Sequence, residues 1–407
     1  MKKSNFLTKF AIYFTFFADN LSWSIVFPIF APLFLDTDNK IFSPNFPDEL
    51  RTTVLGFFLM AFPLAQFFGS PILGDYADKG GRRKALIISI FFTLIGLILS
   101  GWSIHFKNLS ILFISRLITG AFAGNLSICL ASISDLSISE KHKVKNFGYL
   151  AVTAGLSFII GAYIGGKFSD SSINENFNSS LPLWIASAFT FLNLFFVLIG
   201  FKETGKITPN KKFDFLEGIR NIKHALKIEK IKPLFLIYFL ILFSWLLVFQ
   251  FTPVYLIQVF NFSNSKIGDV AAYLGVCWAV GSGLLNRILL NYFDRLKILE
   301  TAIILFTIFC VLIVFPESVL YFLILLGISV VFAGVTWPIC TGLISSKVKS
   351  EDQGKILGIS QSMQSLAMAT SPIVGGLSDF FHAKLFFIIS AFSCLLASIV
   401  YFKIKNH

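Results

Sequence analysis

Two apolar runs without a charged residue, 52–73 and 85–104, stand on either side of a short basic, glycine-rich stretch. As a helix rising 1.5 Å per residue, each run is long enough to cross the ~30 Å hydrocarbon core of a bilayer. The stretch between and into them reads Gly74-Asp75-Tyr76-Ala77-Asp78-Lys79-Gly80-Gly81-Arg82-Arg83-Lys84-Ala85-Leu86. Gly80 and Gly81 allow positive φ in a tight turn, and Arg82, Arg83 and Lys84 hold that turn on the cytosolic side by the positive-inside bias. The chain therefore folds around membrane helices.

Composition agrees: 55% of the 407 residues are hydrophobic and 14% are charged, against about 25% charged in soluble domains. The net charge of +12 sits in short connectors between apolar spans, which excludes a nucleic-acid patch and points to membrane orientation. Cys129, Cys277, Cys310, Cys340 and Cys394 all fall within apolar runs, where a thiol packs as a small hydrophobe and no disulfide framework or metal site is expected. The first apolar run is too long for a signal-peptide core and is taken as the first span.

Twelve spans follow, near 8–35, 52–73, 85–104, 109–133, 146–168, 183–201, 234–260, 267–292, 298–315, 319–346, 356–378 and 384–402. With both termini in the cytosol, 26 of the 34 Lys and Arg lie inside and 6 outside, Arg116 and Arg287 being within spans; that asymmetry orients the chain. The connector at 202–233 separates a six-helix bundle at 1–201 from another at 234–407. Within the connector, Phe213, Leu216, Ile219, Ile222 and Leu226 recur at helical spacing, as in an amphipathic helix on the membrane face. A shift of 210 residues places Gly124 on Gly334, Gly148 on Gly358, Ala162 on Pro372, Gly165 on Gly375 and Gly166 on Gly376. The expected fold is an all-α polytopic membrane protein, its twelve helices forming two pseudo-symmetric six-helix bundles.

Asp19 is the one acidic residue near the middle of an apolar span, about 15 Å deep by helical rise. An unpaired charge there costs several kcal/mol, so it should face the bundle interior and carry a function. Arg116, in span 4 at about the same depth, is its expected partner. All five histidines fall in loops or ends. Asn20, Trp23, Asn125, Trp245, Gln250, Trp337 and Gln361 supply a possible substrate wall, apolar with a few polar anchors.

In its order of Gly, Asp, Gly and Arg, the 74–86 stretch resembles the signature loop between helices 2 and 3 of the major facilitator superfamily, with Tyr76 in place of a Leu. The resemblance implies a cytosolic gate built from Gly74, Asp78, Gly81, Arg82 and Arg83. In it, Asp78 meets the start of span 11 near Lys355 and Ile356, and Arg82 or Arg83 reaches Asp135. Asp19, Pro28 and Pro32 resemble the helix 1 motif of drug:proton antiporters in that superfamily, tetracycline exporters among them. Ser22 and Ser24 stand where the motif has glycines, which predicts looser, more polar packing. Arg116, Gly120 and Gly124 resemble the helix 4 motif whose arginine is linked to proton transfer. The segment Gly161-Ala162-Tyr163-Ile164-Gly165-Gly166 resembles the antiporter motif of helix 5, with Ala162 in place of its proline. By this resemblance Asp19 binds the coupling proton and Arg116 tunes its acidity.

The resulting expectation is a monomeric, cofactor-free, multi-pass protein of a bacterial inner membrane, both termini cytosolic, exporting a small organic compound or drug in exchange for protons by alternating access. Proton-coupled uptake or release of a metabolite or siderophore is the second reading, and a non-transporting sensor or scaffold the third. Paired intramembrane carboxylates, a nucleophile with its base and a nucleotide-binding Gly-x4-Gly-Lys are all missing from the sequence, so an enzyme is not expected.

Overall fold

A computed structural model describes residues 2–36, 41–43, 45–205, 220, 223, 232–346 and 353–405. Among these, every regular element is a helix. The first half holds α1 (Lys2–Ser24), α2 (Phe27–Leu35), α3 (Arg51–Gly80), α4 (Arg82–His105), α5 (Leu109–Ala121), α6 (Asn125–Asp135), α7 (Glu140–Phe168) and α8 (Leu181–Gly200). The second holds α9 (Lys232–Phe260), α10 (Asn264–Ala279), a π-helical segment (Val280–Leu285), α11 (Asn286–Tyr292), α12 (Arg295–Leu312), α13 (Val319–Ser346), α14 (Gln353–Phe381) and α15 (Leu385–Lys405).

Among the described residues, ten stretches are long and apolar enough to cross a membrane. The two further spans expected from the sequence are α12, whose first turns carry Arg295, Lys297 and Glu300, and α14, which is rich in Ser and Gly. The amphipathic helix expected at 213–226 lies outside the described residues, apart from Arg220 and Lys223, which are helical. Large apolar side chains such as Phe191 and Ile199 of α8 and Leu320 of α13 are 60%, 66% and 65% exposed. That arrangement suits a surface facing hydrocarbon.

Three spans are not continuous. Span 1 divides at Ile25 and Val26 because Pro28, at the start of α2, has no N–H to offer the Ser24 carbonyl, and its ring crowds that oxygen. Span 4 divides at Phe122, Ala123 and Gly124; the Ala123 carbonyl left outside the helix accepts from Gln66 Nε2 at 3.2 Å. Within a membrane such a released group must find a protein partner. Span 8 widens into the π-helical turn, where a Cβ on Gly281 would meet the Val331 carbonyl oxygen at 2.0 Å, so the bulge seats this span against α13.

By contacts the chain forms two compact units: Met1–Phe46, Ala61–Glu217 and Phe262–Ala272 in the first, and Pro47–Met60, Gly218–Asn261 and Tyr273–His407 in the second. Unit 1 has a core of Ile12, Phe16, Leu86, Ile90, Ile128, Cys129 and Phe201, drawn from α1, α4, α6 and the end of α8. In unit 2 the fully buried Tyr255 ring is caged by Phe260, Phe322, Phe386 and Phe387, with centroids 5.0–5.7 Å away for Phe260, Phe322 and Phe387. Such edge and tilted contacts add to the area each ring buries. All five cysteines are buried.

Candidate functional site

Asp19 lies on α1 shortly before the break in span 1. Its Oδ1 accepts from Asn125 Nδ2 at 3.1 Å, and Asn125 Oδ1 in turn accepts from the Ser89 hydroxyl. Asn125 is the first residue of α6, so the break in span 4 brings a helix N-terminus, the electropositive end of the helix, up to the carboxylate. A polar chain thus runs from Ser89 on α4 through Asn125 to Asp19. The sequence reading took Asn125 for a substrate contact, but in the structure its amide serves the carboxylate.

The expected Asp19–Arg116 ion pair is not formed. Among the described residues the ion pairs are Arg51–Asp48, Arg82–Asp135 and Lys167–Asp269. Arg116 is buried on α5 with its guanidinium carbon 5.4 Å from the Phe30 centroid and 4.9 Å from that of Phe62, and its Nε has no hydrogen-bond partner there. These are cation–π contacts. Nine residues, or about 13 Å of helix, separate Arg116 from Asn125. Arg116 therefore sits level with Phe30, beyond the break, while Asp19 sits level with Asn125.

The basic stretch is mostly helix. α3 continues to Gly80, and the chain reverses at Gly81 alone, at φ 95° and ψ 144°. Of the two glycines credited with positive φ, only Gly81 uses it. The Arg82 guanidinium pairs with Asp135 at the end of α6, one of the two partners expected for that carboxylate. A carboxylate at a helix C-terminus opposes the macrodipole, and the arginine offsets this. Glu203, just past α8, accepts the amides of Arg82 (3.0 Å), Arg83 (3.1 Å), Thr204 and Gly205. Burial pushes its carboxyl up, but these four N–H groups outweigh it and hold the carboxyl below its ordinary range. Sequence reasoning missed Glu203; the signal available was a lone acid directly after an apolar span. Asp78 is exposed, and the side chains of Lys355 and Ile356 lie outside the described residues.

Helix α7 meets two partners through its glycines. A Cβ on Gly161 would come within 2.0 Å of Ser24 Oγ, and one on Gly165 within 2.5 Å of the Ile25 carbonyl oxygen. Ser24, expected to loosen span 1, is instead packed tightly there, its hydroxyl donating to Leu21 O at 3.0 Å. At the end of α7, Gly166 faces Gly268 backbone to backbone, with a Cβ on Gly166 only 2.6 Å from Gly268 Cα. Lys167 Nζ reaches Asp269 Oδ2 at 2.8 Å and Ser265 Oγ at 2.6 Å, and Asp170 Oδ2 accepts the Ser265 amide at 2.9 Å. Burial raises the Asp170 carboxyl; bonds from Ser172, the Ser265 amide and Ser263 bring it below its ordinary range.

The remaining expected wall residues divide between the units. In unit 1, Asn20 donates back to Phe16 O at 2.7 Å, and Trp23 packs on Phe27 and Phe158. In unit 2, Trp245 stacks on Trp278 at 4.7 Å and touches Phe249, while Trp337 Nε1 donates to Tyr238 Oη at 3.2 Å. Gln250 is buried with an oxygen that no described group serves, and Gln361 is exposed. Trp278, which the sequence reading passed over, is the ring stacked on Trp245.

The model of the family described as Major Facilitator Superfamily matches residues 12–299 and 283–407. The chain belongs to that superfamily. Within the superfamily it is similar to "Multidrug resistance protein 1" of Bacillus subtilis (strain 168), 26% identical over 343 residues, covering 82% of this chain and 83% of that protein. It is also similar to "Tetracycline resistance protein, class B" of Escherichia coli, 26% identical over 326 residues, or 78% and 77% of the two chains. Among solved superfamily structures, a D-xylose-proton symporter superposes with TM-score 0.77 over 98% of this chain and 97% of its own at 16% identity, which shows a shared fold.

Proposed function

We propose that this superfamily transporter exports a small organic compound in exchange for protons, with Asp19 as the proton-carrying group. The observation that carries the reading is a lone carboxylate within span 1, held by Asn125 at the broken, electropositive start of α6. A charge at that depth is retained only for a purpose, and a carboxylate on a neutral amide donor can lose or take a proton without breaking an ion pair. Relatives named for multidrug and tetracycline resistance support the efflux direction.

In this reading both termini are cytosolic, and Gly74, Asp78, Gly81, Arg82, Arg83 and Asp135, with Glu203, form the inner gate element. The contacts of α7 with the start of α10 then lie at the outer end and part when substrate leaves. In this reading substrate contacts come from Asn20 and Trp23 in unit 1 and from Trp245, Gln250, Trp278, Trp337 and Gln361 in unit 2. The test is purified chain in liposomes carrying an internal pH dye and an imposed proton gradient, challenged with a panel of organic cations, anions and neutral drugs. Substrate-induced proton movement in the parent, abolished in Asp19→Asn with binding retained, is expected. Proton movement at the parental rate in Asp19→Asn overturns the assignment.

A further inference from the structure

At the turn between α11 and α12, unit 2 holds a cavity of about 140 Å³ walled by Leu289, Phe293, Lys297, Ile298, Thr301, Ala302, Phe332 and Val335. Six of those eight side chains are apolar, and a largely apolar space of this size accepts a group as large as a benzene ring. On both flanks the helices present apolar surface: Ile288 of α11 is 45% exposed, and Leu296 of α12 is 44% exposed. The cavity thus opens beside surface suited to hydrocarbon.

One side chain of the lining is basic. Lys297 Nζ stands 5.9 Å from the Phe293 centroid. Arg295 begins α12, and Arg287 is exposed one turn and a half before the end of α11. None of the three enters an ion pair with a described acidic side chain. The neighbouring carboxylates, Asp294 and Glu300, sit within electrostatic reach of Tyr401 of α15, and Asp294 also caps α12 through the Leu296 amide at 3.1 Å. Tyr292, 77% exposed at the same turn, is an amphipathic ring of the kind that collects at membrane interfaces.

A lysine in the lining, with Arg295 two residues before it at the start of the same helix, beside an apolar slot suits one occupant: a lipid with an anionic head and an acyl tail. We infer that this cavity binds an anionic phospholipid of the cytosolic leaflet, its phosphate on Lys297 and Arg295 and the top of one acyl chain against Phe293, Ala302 and Phe332. The choice of leaflet rests on the orientation proposed above. The site itself does not depend on transport.

Native mass spectrometry of the detergent-purified full chain tests it, with phosphatidylglycerol, phosphatidylcholine of the same acyl chains and inorganic phosphate as probes. Each basic contact at a membrane surface is worth roughly five-fold, so the parent should retain one phosphatidylglycerol at least about five-fold over phosphatidylcholine. Arg295→Gln with Lys297→Gln should erase that preference, and Ala302→Trp, which fills the slot, should lose both lipids. Equal retention of the two lipids by the parent, unchanged retention by either variant, or full displacement by equimolar inorganic phosphate overturns the inference. Should a variant fail to fold, a benzophenone side chain placed at Phe293 in the otherwise parental chain settles it: an adduct of phospholipid mass is expected, and an adduct with a second copy of the chain counts against the site. Asp19→Asn should bind the lipid as the parent does, which separates this result from the fate of the transport reading.

Discussion

Glu203 Oε1 accepts the backbone N–H of Arg82 at 3.0 Å, so a residue just beyond α8 closes the N-terminus of α4. Its other oxygen takes the amide of Arg83, and the Arg83 guanidinium returns a bond of 2.7 Å to Leu198 O. The turn that leads out of α3 is thus tied to two helices it does not adjoin in sequence: α8 through Glu203, and α6 through the Arg82–Asp135 pair.

Replacing that carboxylate should cost stability in a pH-dependent way. A negative charge on exposed amides at a helix N-terminus is worth about 0.3–1 kcal/mol, so Glu203→Gln should unfold at lower temperature near pH 7. The folded-state carboxyl is held below its ordinary value; its stabilisation is therefore full above the unfolded pKa and fades as pH falls through the folded one. The gap in melting temperature between parent and variant should shrink on acidification below about pH 4. A gap that is constant with pH would assign the loss to packing.

Gly81 and Gly74 should behave oppositely. An L side chain at φ 95° and ψ 144° is strained by roughly 1–3 kcal/mol, so Gly81→Ala should lower the melting temperature. A Cβ at Gly74, within α3, meets nothing within 4 Å, and Gly74→Ala should fold at least as well as the parent. If Gly74 serves gate closure, that same variant transports more slowly; parental transport and stability together would remove Gly74 from the gate.

Asn125→Ala should separate proton coupling from folding. It removes the hydrogen bond that holds Asp19, and bonds to charged groups are worth about 1.5–3 kcal/mol. Proton-driven flux should fall about ten-fold or more, while substrate equilibration down its own gradient persists. Equal losses in both modes would mean that Asn125 only supports the packing of α6.

Lys167 and Asp269 offer a lock. Cysteines at these two positions, bridged by a short bifunctional reagent, should arrest transport, and the single-cysteine chains treated alike should not stop. Transport at the parental rate in a fully bridged sample would show that the contact between α7 and α10 does not open in the cycle.

Long uncharged runs are legible without a structure because hydrocarbon admits little besides helices whose backbone groups are satisfied internally. The same logic made Asp19 conspicuous, and the resemblance to the signature loop named Asp135 as a partner of Arg82 or Arg83, of which Arg82 makes the pair. Lys167 looked like an ordinary connector charge, since its partner Asp269 is remote in sequence. Arg116 stands level with Phe30 and Phe62, nine residues before the Asn125 that serves Asp19, a difference in height that counting from span ends with an error of a few residues does not resolve.

From the amino-acid order alone came the long apolar spans, the family, and the carboxylate of Asp19 within span 1; these follow from transfer energies of individual residues between water and hydrocarbon. Only the tertiary structure decided that Asp19 is served by Asn125 and not Arg116, that Gly81 alone turns the chain, and that Glu203 caps α4. Hydrogen-bond partners lie within about 3 Å of each other, and the few residues by which a helix breaks or continues move a side chain by more than that distance.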